Sequence, residues 1–116
     1  MVEITTTSED GIYKIGVNGD VDASSSIHLD NALKEAIEKD ESKILVDCRE
    51  LNYISSAGLG VFMSYLEDLK EKNVSFAIYG LQEKVNHVFE LIGLENLIKI
   101  MKTEEEAVSY LNGTYA

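Results

Sequence analysis

The chain has 116 residues, 45% of them apolar, and sets 10 Lys and Arg against 21 Asp and Glu for a formal charge of −11. That length suits one soluble domain, residues 1–116, with a single core. No cluster of Lys or Arg is present to displace counterions, which excludes nucleic acid as a partner, and no apolar run approaches the length needed to cross a bilayer, which excludes a membrane.

Taken in chain order, Val2 to Thr7 reads as an edge strand and Glu9-Asp10-Gly11 as a turn. Tyr13, Ile15, Val17, Gly19 and Val21 then alternate with polar residues as a half-buried strand does. Leu29, Leu33 and Ile37, with Ala32 and Ala36 beside them, predict a first helix with cap candidates in Ser24, Ser25 and Ser26. Ile44-Leu45-Val46 is a continuous apolar run ending at Asp47, as expected of a central strand covered on both faces. Leu59, Phe62, Met63, Leu66 and Leu69 predict a second helix from about Ser56 to Lys72, and Val74 to Tyr79 another buried strand. Val85, Val88, Phe89 and Ile92 mark a third helix closed by Gly93, and Leu97 to Met101 a last strand. Thr103 to Glu106 forms a capping box that opens a final helix through Val108 and Leu111. The order ββαβαβαβα predicts an α/β fold: a mostly parallel central sheet of about five strands with crossover helices.

Few residues carry obvious chemistry. His28 and His87 lie far apart among polar neighbours on predicted helices and read as surface residues. There is no Gly-x-Ser-x-Gly elbow and no Walker loop, and Gly58-x-Gly60 is followed by Met63 where a dinucleotide turn needs glycine. The lone Cys48 makes neither an intramolecular disulfide nor a zinc site and reads as buried and inert. With an N-terminus lacking signal-peptide regions, it points to a reducing cytoplasm. Asp20 and Asp22 leave a strand on one face, and Asp47 ends a central strand nearby. These three carboxylates could hold Mg²⁺ in a receiver-type phosphoacceptor, with Asp47 taking the phosphoryl group and Lys99 or Lys102 sensing it. The structural reading of the same residues makes Asp22 a helix cap and leaves Asp20 and Asp47 in solvated loops. A third reading, a small phosphatase on Asp20-x-Asp22, lacks chain length for its other parts.

The segment Tyr53-Ile-Ser-Ser-Ala-Gly-Leu-Gly-Val-Phe62 stands apart. Two serines end a loop where a helix begins, with Ser56 at or near the N-cap, and small residues follow that leave the backbone open to a large partner. The free N–H groups and partial positive charge of a helix N-terminus favour an added phosphate, so a serine there can be a phosphoacceptor.

Gly19-Asp-Val-Asp22, Ile44-Leu-Val-Asp47, Tyr53 to Gly60, and the series Val85, Phe89, Ile92-Gly-Leu94 and Ile98 together resemble the STAS domain of bacterial anti-sigma factor antagonists. The resemblance covers residues 10–111. It implies a non-enzymatic protein whose unphosphorylated form binds an anti-sigma factor serine kinase and releases the sigma factor. It also implies ATP supplied by that kinase with no cofactor or metal of the chain's own, phosphorylation on Ser56, and reversal by a PP2C-type phosphatase. The family's pattern of acid, Ser, Ser or Thr, Gly is met with two departures, Ser55 in place of the acid and Ala57 in place of the second hydroxyl, so Ser55 becomes a rival acceptor. The implied partner surface comprises Asp20, Asp22, Ser24, Ser55, Ser56, Ala57, Gly58 and Gly60. A monomer is expected, because no helical face is left over once the sheet is covered.

Overall fold

The computed structural model describes residues 1–113. Strand β1 (Val2–Glu9) turns through Asp10 and Gly11, both at positive φ (53° and 79°), into β2 (Ile12–Val21). A two-residue turn with both centres left-handed matches the twist of an antiparallel pair, and Asp-Gly supplies it at low strain. The chain continues through α1 (Ser26–Glu38), β3 (Lys43–Asp47), β4 (Leu51–Ile54), α2 (Ser56–Glu71), β5 (Ser75–Tyr79) and α3 (Glu83–Leu91). A 3₁₀ turn (Leu94–Asn96), β6 (Lys99–Met101) and α4 (Glu104–Leu111) complete it.

The sheet runs β1-β2-β3-β5-β6, antiparallel between β1 and β2 and parallel elsewhere. The expected α/β architecture is present, with one strand more than the sequence reading gave. Leu51–Ile54, expected as loop, is a strand that pairs in parallel with the end of β2. β3 occupies the side of β2 from Tyr13 to Gly16, and β4 takes over the same side from Gly19 to Val21. The register shifts between Gly19 and Asp20, where Gly19 has φ +100°. A side chain at Gly19 would collide with the Met1 carbonyl, so both the conformation and the close approach demand glycine.

Period-2 alternation divides the strands between two cores. Tyr13, Ile15, Val17, Ile44, Val46, Phe76 and Ile78 face α1, α2 and α3, where Leu29, Leu33, Phe62, Val85 and Phe89 meet them. Ile12, Leu45, Ala77 and Tyr79 face the other way and are covered by Ala107 and Leu111 of α4. Phe62 is the hub of the larger core, tilted against Phe76 and Phe89 with ring centroids 6.4 and 5.9 Å away. Met63, expected among the core residues of α2, is instead half exposed, because the helix turns that position away from the sheet.

Candidate functional site

The expected site residues converge where β2 and β4 end side by side. Val21 pairs with Ile54, and the Ser55 N–H donates to the Val21 carbonyl at 2.8 Å, so Asp22 and Ser55 leave the sheet as neighbours.

Asp22 begins a tight loop into α1. Its Oδ1 accepts from the Ser24 N–H (3.1 Å), the Ser24 hydroxyl (2.9 Å), the Ser25 N–H (2.9 Å) and the Ser25 hydroxyl (2.9 Å). The Ser25 oxygen in turn accepts from the Asp22 N–H at 2.9 Å. These bonds, led by that of the Ser24 hydroxyl, hold the Asp22 carboxyl down at about 2, against an ordinary 3.8. None of the three serines caps α1 through its side chain as expected: Ser25 is the N-cap residue, but its hydroxyl is committed to Asp22 and the Asp20 carbonyl.

The start of α2 falls where it is expected, with Ser56 next to the N-cap. Ser55, not Ser56, is the N-cap, its hydroxyl accepting from the Gly58 N–H at 3.2 Å. Ser56 is the first helical residue; it is exposed, and its hydroxyl makes no hydrogen bond among the described residues. Gly58 is buried against the strand ends, where an added Cβ would lie 2.7 Å from Ile54 Cγ1 and 2.8 Å from Val21 Cγ1. Gly60 is exposed, with nothing among the described residues within 4 Å of the same position. Helical spacing puts Ser56, Gly60 and the exposed Met63 on one stripe. Exposed Ile27 and Tyr53 add apolar surface at the start of α1 and on β4. Periodicity places Met63 in the core, because an apolar side chain at helical spacing reads as buried, and Ile27 falls outside the helical pattern altogether. α1 and α2 are tied by the Tyr65 hydroxyl, which donates to Asp30 Oδ1 at 2.7 Å.

Residues 15–33 and 50–69 hold Asp20, Asp22, Asp30, Glu50, Glu67 and Asp68 and no Lys or Arg.

The three carboxylates of the receiver reading are not brought together, and no group of His, Cys, Asp or Glu among the described residues could hold a metal ion. Asp20 sits within β2 rather than in a loop. Asp47 is gripped by Arg49 (Nη2 to Oδ2 2.8 Å, Nε to Oδ1 3.1 Å), with Lys14 Nζ at 3.9 Å. Burial opposes ionisation of Asp47, but the hydrogen bonds from Arg49 outweigh it and hold the carboxyl below the ordinary aspartate range. Lys99 lies over the Tyr110 ring at 5.7 Å and Lys102 is exposed. His28 and His87 are exposed, as expected. Cys48 is fully buried, and burial pushes its thiol well above the ordinary range, which leaves it unreactive. No helix among the described residues is long and apolar enough to cross a membrane.

A six-stranded mixed sheet of this order with its crossover helices is the architecture of a known domain class. The model of the STAS domain matches residues 3–107, and the chain belongs to that family. It is 30% identical over 115 residues, 99% of this chain and 96% of the other, to the anti-sigma-B factor antagonist of Listeria monocytogenes serovar 1/2a, strain EGD-e. Its fold is similar to that of an anti-sigma factor antagonist from Mycobacterium paratuberculosis (TM-score 0.89, 17% identity, 97% and 95% of the two chains). SpoIIAA, an anti-sigma factor antagonist and Bacillus cell fate determinant, has the same fold. Its unphosphorylated form gives a TM-score of 0.72 at 18% identity over 97% and 99% of the chains; its phosphorylated form gives 0.69 at 18% over 95% and 98%.

Proposed function

We propose that this protein is an anti-sigma factor antagonist whose hold on its partner is released by phosphorylation of Ser56. Unmodified, it binds an anti-sigma factor that is also a serine kinase, and so frees the sigma factor. The kinase transfers the γ-phosphoryl group of ATP to Ser56 Oγ, the bond from the γ-phosphorus to the bridging oxygen breaking to release ADP and the hydroxyl proton passing to a base of the kinase, and a PP2C-type phosphatase hydrolyses the ester to serine and inorganic phosphate. The chain supplies a surface and an acceptor, not a catalytic group. The names of the relatives support this role, and SpoIIAA, solved with and without its phosphate, supports the mode of control.

The observation that carries the assignment to Ser56 over Ser55 is their different employment. The Ser55 hydroxyl is used by the Gly58 N–H, whereas that of Ser56 is exposed. A phosphate on Ser56 adds about −1.5 to −2 charges to a chain of net charge −11, one residue from Ser55, whose N–H is bonded to the carbonyl of Val21 immediately before the ionised Asp22. Inside an interface the added charge opposes binding by repulsion and desolvation, and ~3 kcal/mol of such a penalty lowers occupancy about a hundredfold. The helix cap is untouched, so the switch requires no refolding.

The test is incubation of the full chain with ATP and a lysate of its source organism, followed by fragmentation of the peptide carrying residues 50–70. Acid-stable phosphate is expected on Ser56, retained in Ser55→Ala and lost in Ser56→Ala. Phosphate on Ser55, an acid-labile adduct on Asp47, or none at all with an active lysate would overturn the proposal.

A further inference from the structure

We infer that the open edge of β6 and the groove beside it form a second protein-docking surface, fitted to an extended segment that alternates acidic and apolar residues. This goes beyond the switch at Ser56 and does not depend on it. The groove has a volume of about 440 Å³, with Leu66, Leu69, Phe76 and Leu97 among its apolar lining and Lys70 and Lys99 on its walls. Leu97 is 62% exposed, and Leu91 and Ile92, which precede it at the end of α3, are 71% and 47% exposed. So much apolar surface on adjoining turns is not needed to cover the sheet. Among the described residues β6 pairs with β5 alone, so its outer edge offers main-chain groups to an added strand.

Charge selects the occupant. In a chain of net charge −11, two lysines and one acid, Glu95, line this groove, and neither Lys70 nor Lys99 forms an ion pair among the described residues. A segment with apolar side chains at alternate positions turns them toward Leu66, Leu69 and Phe76 on the α2 side of the sheet, and its intervening acidic residues fall on the α4 side, where Lys99 stands over Tyr110; Lys70, near the end of α2, adds to the positive potential of the groove. A second copy of this chain is a poorer match, since both copies carry the same large negative charge.

Position gives the surface a role distinct from that of Ser56. Lys70 lies fourteen residues along α2 from Ser56, about 21 Å at 1.5 Å per residue. That is more than two Debye lengths at physiological ionic strength, about 8 Å each, so a phosphate on Ser56 leaves the groove's potential almost unchanged. A partner held there stays tethered while the other end of the helix is switched, at a raised effective concentration for rebinding.

A short edge strand carrying lysine is also a known guard against aggregation, and a guard of that kind binds nothing. The two roles separate in a titration of the full chain with two short fluorescein-labelled peptides of alternating pattern, identical in Leu and Val but carrying Glu in one and Lys in the other. Anisotropy should rise with the acidic peptide only, and the amide resonances of Lys70, Leu97 and Lys99 should shift. Lys70→Glu with Lys99→Glu, both at exposed positions, should weaken binding at least about tenfold. Leu97→Asp should do the same, and Ser56→Asp should leave binding unchanged. No binding, equal binding of the two peptides, shifts confined to the Ser56 face, or dimerisation of the free chain in sedimentation would each overturn the inference. None of these results bears on whether Ser56 is phosphorylated, so the two proposals fail separately.

Discussion

Two glycines in one helix, two residues apart, should respond in opposite directions to the same substitution. At Gly58 an alanine Cβ would stand 2.7 Å from Ile54 Cγ1, 2.8 Å from Val21 Cγ1 and 3.1 Å from Ile54 Cδ1. Both neighbours are buried and β-branched, with stiff χ1 angles, so the collision cannot be relieved by a swing of a flexible tip. Overpacking of this kind costs about 1–3 kcal/mol, offset in part by the ~0.5–1 kcal/mol that alanine gains over glycine in a helix. Gly58→Ala should therefore lose about 0.5–2 kcal/mol net. Gly60→Ala meets nothing among the described residues within 4 Å and should gain ~0.5–1 kcal/mol. Urea titration followed by far-UV circular dichroism measures both, and thermal midpoints should separate by roughly 3–6 °C for each kcal/mol between the variants. A shift of both variants in the same direction would refute the reading of the α2 N-terminus as wedged against the strand ends. Gly60→Ala is also informative about the partner surface, since it adds a methyl to the exposed stripe without harming the fold.

The neighbouring serines should separate in the same assay. Ser55→Ala removes the cap of α2 and should cost about 0.5–2 kcal/mol, whereas Ser56→Ala should stay within about 0.5 kcal/mol of the parent. At low pH the Asp22 loop should loosen. Its folded carboxyl titrates at about 2 against an ordinary 3.8, so its contribution is fully present above 3.8 and is lost as pH falls from there toward 2. Carboxyl chemical shifts should give a midpoint near 2 for Asp22 that rises toward 3.8 in Ser24→Ala; an ordinary midpoint in the parent chain would contradict the hydrogen bonding described.

The elements that sequence reading located were those whose period reports their burial. Leu29, Leu33 and Ile37 on α1, and Ile44 to Val46 on β3, are buried because nothing local competes with their pattern. β4 was not legible for the opposite reason: in Leu51-Asn-Tyr-Ile54 only the two ends are buried, and the segment is a strand only because β2 has an unpaired end for it to join. That in turn depends on the shift at Gly19, which also explains why Asp20, Asp22 and Asp47 could not be grouped correctly from a simple alternation. The serine pair was visible as a helix start, but a cap is a matter of one residue of register. Either hydroxyl satisfies the sequence pattern, and only the distance to the Gly58 N–H decides between them.

β2 is flanked along most of its length, by β1 on one side and by β3 and then β4 on the other. Amides in such a strand exchange only when much of the molecule opens, so β2 belongs to the last part of the structure to come apart. Asp22 follows it directly, and Ser55 is bonded to its final carbonyl. The loop ends that present the candidate site are thus rooted in the most persistent part of the chain. A partner that docks there meets a surface already in shape and loses little affinity to ordering it.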